Sequence, residues 1–561
     1  MKKIFSIIFA VAIICSSACK KSFLDASPQG LLTTGVLTST SSGIDGLVNA
    51  GYQGLSTHFA GQWPDFFHPP SNWSFGDARS DDAYKGGGGT GDIIEFHQLE
   101  IGDVRADNVM LYNKWKADFT GINNINTAIK ALSQASTTIY PQKDVRIAEM
   151  KALHAYFYLD LLKHYYQVPW IDASVSDADL NKVGNTLSNE QLYANIEKEL
   201  TEAVAALPAQ QDAASRINKY GALGFLTKCY MFEKKYANAA QTADQIISSG
   251  KYSLLSNFDQ LYSTPENEHG PEFVFSIAYS NNAPDTKNLN FGDLLNAPTN
   301  SPYGGGDGFH RPSQNLVNAF KVDANGLPLF DTFSQTNLAP NDITTPVDPR
   351  LDHAIGRPGI PWKDYTGGVY ANSWARAADV YGPYSKKKNI ININNPLRAA
   401  LGFPWALGAL DLPLIKYSQV LLWKAECDVE LGANLDEARN FVNQIRQRAK
   451  SAPYVQKLTG GNAANYQIGL YPSSGWTQTY ARNAVRFETR LELCLEGQRF
   501  YDLVRWGVAG DVINAYFATE KAVRPFLGTA QFTKNKNEYL PLPQSEIDRA
   551  QGVYTQNQFY K

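Results

Sequence analysis

Two pairs of apolar helical segments, each joined by a tight turn, constrain the fold of this 561-residue chain most strongly. The pairs are residues 220–232 with 236–248, and residues 417–431 with 435–449. Each second segment carries an alanine and, seven positions later, an isoleucine: Ala239 and Ile246, then Ala438 and Ile445. Small residues let two helices approach closely, and one such hairpin cannot bury its apolar face alone. The sequence therefore predicts a mainly α protein with an interrupted scaffold of tetratricopeptide-like helical hairpins.

Further helices are expected before the first pair. Residues 112–132 carry apolar side chains at helical spacing, and so do residues 145–159, where Pro141 is expected at the first helical position. Ser188 and Gln191 form a capping box for a helix that runs to Leu207.

The segment from Gly250 to Leu410 is rich in glycine, proline, asparagine and aspartate and shows little periodicity. Residues 272–277 resemble an isolated strand. A structureless loop of this length is improbable in a compact domain, so we expect a large irregular, loop-rich lobe packed on the helices. Such lobes often carry function.

Residues 1–19 have the pattern of a lipoprotein export signal. Lys2 and Lys3 precede a largely apolar stretch, residues 4–14, which is too short to span a bilayer because that needs roughly 20 residues. Small residues then lead into Cys19, the predicted lipidation site, whose acyl chains (palmitate among them) would anchor the protein to a membrane. An ordinary secretory signal is the alternative.

The charge balance argues against a nucleic-acid partner. Removing residues 1–18 takes two lysines from 51 basic residues and leaves 49 against 54 acidic ones, whereas phosphate binding needs a clustered basic face. The remaining cysteines lie in apolar helical patterns without zinc or disulfide spacing, which indicates small core residues. They are Cys229, Cys427 and Cys494.

The C-terminal part of the chain carries motifs of a known family. Residues 486–506, RFETRLELCLEGQRFYDLVRW, resemble the hallmark segment of the SusD/RagB family of nutrient-uptake outer-membrane lipoproteins. Four further segments fit the same family in the same order: residues 115–126, 148–169, 443–449 and 539–560. The resemblance covers essentially the whole mature chain.

The resemblance implies a SusD-like fold of four tetratricopeptide-like hairpins with a loop-rich ligand-binding face. It implies an outer-membrane, cell-surface protein that binds oligosaccharide or polysaccharide without altering it. A SusC-like TonB-dependent β-barrel transporter would be the partner, with this protein as its lid. A peptide ligand, as in RagB-like relatives, is the alternative. The expected regions are a signal peptide (1–18), an N-terminal SusD-like helical region (19–260), the irregular insertion lobe (261–410) and a C-terminal SusD/RagB helical region (411–561).

Three carboxylates could be mistaken for a catalytic site. Glu488, Glu492 and Glu496 recur every four residues and are expected on one helical face. Paired carboxylates about 5–5.5 Å apart serve retaining glycosidases, so a glycoside hydrolase is the less favoured alternative. Nearby arginines, including Arg446 and Arg448, can bind carboxylates bidentately and favour a structural ion network. We therefore predict a protein that is not an enzyme, with no catalytic residue.

No cofactor or metal is predicted, with calcium left open. The eight histidines have no metal-binding spacing. Asp77, Asp81 and Asp82, and the segment 323–326, could offer oxygen ligands to calcium, but neither has an EF-hand array and turn formation accounts for both.

Two aromatic-rich stretches without helical or strand periodicity form the candidate glycan site. Sugars present apolar C–H faces and rims of hydroxyls, which flat rings and polar side chains complement. The candidate ligand-binding residues are Trp63, Asn72, Trp73, Arg79 and Asp81 in the first stretch, and Trp362, Tyr370 and Trp374 in the second. The alternative is that these rings anchor irregular loops onto the helical body.

Replacing Trp73 and Trp374 together with alanine tests this assignment. If both rings form an exposed platform, glycan binding is lost while the thermal unfolding transition hardly changes. Retained binding, measured on the cognate glycan, would reject the two rings as the platform.

Overall fold

A computed structural model describes residues 40–56, 68–259, 261, 269–281, 288–399, 403 and 405–561, and the backbone alone at 59–60 and 63–64. The predicted signal segment with Cys19 lies outside these residues. In this described part of the chain, no helix combines the length and apolarity needed to cross a bilayer.

The described residues are predominantly helical. In the first half of the chain the α-helices are α1 Ser41–Gln53, α2 Ile94–Glu100, α3 Val109–Gln134, α4 Lys143–Tyr165, α5 Asn189–Ala206, α6 Lys219–Phe232 and α7 Tyr236–Ile247. They continue with α8 Gln314–Ala319, α9 Arg350–Ala354, α10 Ala378–Tyr381, α11 Tyr417–Glu430, α12 Leu435–Ser451, α13 Gln478–Leu493, α14 Arg499–Arg505, α15 Ala509–Glu520 and α16 Gln544–Arg549.

The long helices stack one on the next. Helices α3 to α7 pack in chain order, α7 then packs on α11, and α11 contacts both α12 and α13. The two predicted hairpins, α6 with α7 and α11 with α12, are therefore confirmed, and they are direct neighbours in space. Ala239, Ile246, Ala438 and Ile445 are fully buried, as the spacing requires.

The helix boundaries follow local signals with one exception. Ser188 and Gln191 form the predicted capping box at the start of α5. Helix α4 begins at Lys143, so the prediction that Pro141 is its first residue is wrong by two positions. The three cysteines are buried in the core, as predicted.

The described residues contain four small antiparallel pairs of strands, three of which include residues of the lobe or its borders. The strands are β1 Phe59–Ala60, β2 Trp63–Pro64, β3 Ala83–Gly86, β4 Phe273–Ile277, β5 Phe309–Pro312, β6 Ile355–Gly356, β7 Ser385–Lys386 and β8 Leu412–Lys416. The pairs are β1 with β2, β3 with β5, β4 with β8 and β6 with β7. The predicted strand at residues 272–277 exists as β4, but it is not isolated because it pairs with β8 just before α11.

Close backbone contact fixes the first aromatic stretch against the C-terminal region. A π-helical turn, Trp73–Asp77, lies against the turn that precedes α14. A Cβ atom at Gly76 would lie 1.9 Å from the backbone oxygen of Gly497. The amide of Gly497 in turn donates to Asp77 Oδ2 at 2.7 Å. Only glycine at position 76 allows this approach.

Replacing Gly76 with alanine should destabilise the protein. The added methyl group meets a backbone carbonyl, which cannot rotate away, so we expect a loss of about 1–3 kcal/mol, the usual range for overpacking. Chemical denaturation measures this change in the free energy of unfolding.

Gly46→Ala is the matched control. Gly46 lies exposed in α1 and its added Cβ would have no atom within 4 Å. Alanine there should stabilise the helix by roughly 0.5–1 kcal/mol. Equal effects of both substitutions would contradict the close approach of residues 76 and 497.

Candidate functional site

The first aromatic stretch packs into the core. Trp73 is fully buried, donates from Nε1 to the Gly292 oxygen at 3.3 Å and stacks on His310 with ring centroids 5.3 Å apart. The Asn72 amide donates to Asp160 Oδ1 at 3.1 Å. The side chain of Trp63 lies outside the described residues.

Arg79 and Asp81 have internal partners. Arg79 donates to the Asn537 oxygen at 2.7 Å and lies over the ring of Phe500 at 4.0 Å. Asp81 accepts from Arg499 Nε at 2.8 Å and Arg490 Nη2 at 3.0 Å. Burial raises the pKa of Asp81, but the two arginines outweigh it and hold the pKa at about 2. Both side chains therefore stabilise contacts between the first aromatic stretch and the C-terminal region.

The three rings of the second stretch do come together. Trp362 stacks on Tyr370 at 5.8 Å, and Trp374 meets Tyr370 edge-on at 5.4 Å. Trp362 donates from Nε1 to the Tyr303 hydroxyl at 3.2 Å. All three rings are buried, Trp374 with 7% of its surface exposed.

The expectation of an exposed platform is therefore wrong for the candidate residues whose side chains the structure describes. Their rings and polar atoms make contacts inside the protein, partly in the lobe and partly with the helical scaffold, as the alternative of loop anchoring requires. Removing a buried tryptophan costs about 3–5 kcal/mol, so replacing Trp73 and Trp374 with alanine would lower the thermal transition instead of leaving it unchanged. Their part in ligand binding stays a prediction.

The structure nevertheless brings the two stretches to one place. Ser71 donates to Asp293 Oδ1 at 3.0 Å, and Trp73 binds the adjoining Gly292. Asp293 lines a cavity of about 40 Å³ whose walls also include Ala297, Ile390 and Ile391. These three apolar residues belong to the same core cluster as Trp362, Tyr370 and Trp374. We call this the Asp293 cavity.

A carboxylate and two side-chain amides are polar groups in the wall of the Asp293 cavity. The Asp293 carboxylate accepts from Asn290 and Asn296, both at 2.9 Å, so its orientation is fixed. The side-chain oxygens of Asn290 and Asn389, which also line the cavity, have no hydrogen-bond partner among the described residues. Such oriented carboxylate and amide groups match the hydroxyl rims of sugars.

A pair of rings, one exposed and one half-buried, is connected to the cavity through the residues that line it. Phe403 is 54% exposed and meets the half-buried Trp405 edge-on at 5.2 Å. Trp405 packs against the cluster of Leu294 and Leu407, which line the cavity. A Cβ atom at Gly305 would lie 1.9 Å from Trp405 Nε1, so glycine is needed there for the ring to fit.

Sequence reasoning missed Asp293, Asn389 and Trp405. Trp405 has a φ of +47°, which is unusual for a residue with a side chain and is concentrated at functional sites. Its position in a segment with little periodicity was an available signal. The sequence around Asp293 and Asn389 contains no comparable signal.

The glutamates of the hydrolase alternative form a buried ion network. Glu488 binds Arg350 Nη1 at 2.6 Å and Arg446 Nη1 at 3.0 Å. Glu492 binds Arg448 Nη2 at 2.5 Å. The predicted structural role is confirmed, although Arg350 was not foreseen.

Glu496 does not share the helical face of the other two glutamates. Helix α13 ends at Leu493, because Leu495 and Gly497 have positive φ values, so the prediction of three carboxylates on one helix is wrong. Glu496 instead binds Lys388 at 2.6 Å and Lys416 at 2.8 Å.

The acidic groups considered for calcium have other partners. Asp77 binds His310 Nε2 at 3.0 Å, and burial raises the pKa of Asp77 to about 7. Asp323 accepts from the amides of Asn325 and Leu327, which forms the expected turn. Among the described residues, one group of three metal-ligand types lies within 4.8 Å, namely Glu197, Cys229 and Glu233. The Lys235 ammonium already binds both of these glutamates.

Glu492→Gln should lower the free energy of unfolding by an amount that depends on pH. Burial raises the pKa of Glu492, but Arg448, Lys416 and Arg350 outweigh it and lower the pKa to about 2. The ionised carboxylate therefore contributes stability above about pH 4.5 that is lost as the pH falls towards 2. Removing one member of a buried pair costs about 3–5 kcal/mol at pH 7.

Denaturation of the wild type and E492Q across this pH range measures the effect. The difference in free energy of unfolding should shrink between pH 4.5 and 2. A constant difference would contradict the assigned ion pairs, and release of reducing ends from a polysaccharide by the wild type, lost in E492Q, would support the hydrolase.

Two family models match the sequence. One, described as "SusD family", matches residues 271–560. The other, described as "Starch-binding associating with outer membrane", matches residues 89–231.

Among similar proteins, SusD-like protein P2 of Formosa agariphila is 24% identical over the full length of both chains. SusD-like protein P25 of the same organism is 22% identical over 80% of this chain and 79% of its own.

Solved structures share the fold. A SusD-like carbohydrate binding protein from Bacteroides fragilis has a TM-score of 0.72 at 23% identity, covering 92% of this chain and 99% of its own. A laminarin binding SusD-like protein has a TM-score of 0.69 at 21% identity, covering 93% and 99%. Surface glycan-binding protein A from Bacteroides thetaiotaomicron, solved with laminarihexaose, has a TM-score of 0.66 at 21% identity, covering 92% and 100%.

Proposed function

Because the chain belongs to the SusD family, we propose that it binds a glycan at the outer membrane and delivers it to a SusC-like TonB-dependent transporter, acting as the transporter's lid. The resemblance seen in the sequence and the SusD-like, mainly helical fold are confirmed. The family's description supports outer-membrane association. Lipidation at Cys19 would hold the protein at the cell surface.

One observation carries the proposal of the binding place. Ser71 of the first stretch binds Asp293 in the wall of the cavity, and other wall residues share a core cluster with the rings of the second stretch. Trp405 packs against further wall residues and meets the exposed ring of Phe403. Rings can cover the apolar face of a sugar while the Asp293, Asn290 and Asn389 side chains bind its hydroxyls. The cavity is too small to enclose a whole sugar unit. The glycan would therefore lie across its opening, with a hydroxyl group directed inward.

Capture without chemical change is the activity that this geometry supports best. Glu488 and Glu492 are fully buried and bound to arginines, so neither can reach a glycosidic bond. The protein would then act by binding and release, with affinity built from several modest contacts.

Replacing Trp405 with alanine should weaken glycan binding about three- to tenfold, since a ring contact contributes roughly 0.5–1.5 kcal/mol. The Phe403→Ala change should act in the same direction and leave stability almost unchanged, because that ring is largely exposed. Calorimetric titration with laminarihexaose and with maltohexaose measures both effects.

Tyr454→Ala is the matched control. Its half-buried ring packs against a different core cluster and should leave glycan affinity unchanged. If all three variants bind the glycans as the wild type does, the binding place is elsewhere. If the wild type binds hexapeptides and neither hexasaccharide, the peptide-binding alternative replaces the glycan.

A further inference from the structure

A second cavity adjoins the Asp293 cavity and is lined by an ammonium group that has no hydrogen-bond or ion-pair partner among the described residues. It has a volume of about 30 Å³ and shares Asn389 and Leu412 with the first cavity. Lys228, on α6, lines it with 8% of its surface exposed. Among the described residues we find no hydrogen bond or ion pair to the Lys228 ammonium.

The other charged side chains that line this cavity each have an ion-pair partner. The Lys163 ammonium lies 2.5 Å from Asp160 Oδ1, and the Lys416 ammonium lies 2.8 Å from Glu496 Oε1. Glu496 also binds Lys388 at 2.6 Å. Lys228 is therefore the lysine of this wall for which the described residues provide no ion-pair partner, although the more distant Asp160 and Asp502 carry opposite charge.

A second donor lines the same cavity. Gln419, on α11, is 7% exposed, and the described part of the chain offers its amide no hydrogen-bond partner either. Burial of an unpaired ammonium or amide costs free energy, so such groups are normally satisfied. Two donors without a protein partner among the described residues, one on α6 and one on α11, lie in a wall that also holds Lys163 and Lys416. Such a wall is suited to an acceptor that carries negative charge.

The size of the cavity limits what can enter. A space of about 30 Å³ exceeds the roughly 10–15 Å³ that one water needs, so it admits one or two oxygen atoms and not a sugar ring. A carboxylate or a sulfate group could insert its oxygens while the remainder of the ligand stays outside.

We propose that Lys228 and Gln419 form an oxyanion site that takes a carboxylate or sulfate oxygen, either from a free anion or from an acidic sugar. Burial and the neighbouring Lys163 ammonium lower the pKa of Lys228 to about 7. A bound anion would favour the charged ammonium, in keeping with the assignment. This site does not depend on glycan binding at the Asp293 cavity.

Titration of the full-length protein at pH 6 with inorganic sulfate, glucuronic acid and glucose tests the proposal. We expect the wild type to bind at least one of the two anions and to bind glucose more weakly. Lys228→Met should weaken anion binding about tenfold or more, the size expected for a charge-assisted hydrogen bond. Lys228→Arg keeps the charge and should retain most of the affinity.

The outcomes separate the two sources of the anion. Sulfate binding stronger than glucuronate binding indicates a free inorganic anion, and the reverse order indicates an acidic sugar. Equal affinities of wild type and K228M for both anions, or no anion binding by the wild type, would overturn the proposal. Thermal melts show whether K228M folds, and Gln419→Leu is a second variant that should also weaken anion binding.

Discussion

Buried arginine–carboxylate pairs hold the helical scaffold and the irregular lobe in one arrangement. Arg490 binds Asp82 across 408 positions of sequence, and Arg350 in the lobe binds Glu488 on the scaffold. An unpaired buried charge is strongly destabilising, so each pair tolerates few alternative positions of its partners. The place where the first aromatic stretch meets the lobe, and with it the Asp293 cavity, depends on these contacts.

The scaffold was predictable because a helix that buries one face has apolar residues at a regular helical spacing in the sequence. The alanines and isoleucines of α7 and α12 mark where neighbouring helices touch, and the Ser188 capping box marks where α5 begins. These signals are local, involving residues within one or two helical turns. Tertiary contacts were needed only to show that the two hairpins are neighbours.

The site was less predictable because absence of periodicity indicates irregular backbone and not exposure. The Trp73 indole finds its acceptor at Gly292, a contact across 219 positions that no local pattern reveals. The same holds for Asp293, whose carboxylate accepts hydrogen bonds from Ser71, Asn290 and Asn296. The sequence pointed to two aromatic-rich stretches whose described rings are buried, and it passed over the exposed ring of Phe403.

The pairing of β4 with β8 closes the lobe at its base, between the end of α7 and the start of α11. The described residues between these strands belong to the lobe, and the chain returns to the helical stack at α11. The entropy of closing a flexible loop grows only with the logarithm of its length, so insertions in exposed loops of the lobe change stability little as long as the contacts of Arg350 and β5 with the rest of the protein are kept. Evolution could therefore exchange the ligand-facing segments of this protein piecemeal, while the helices beneath keep the same geometry.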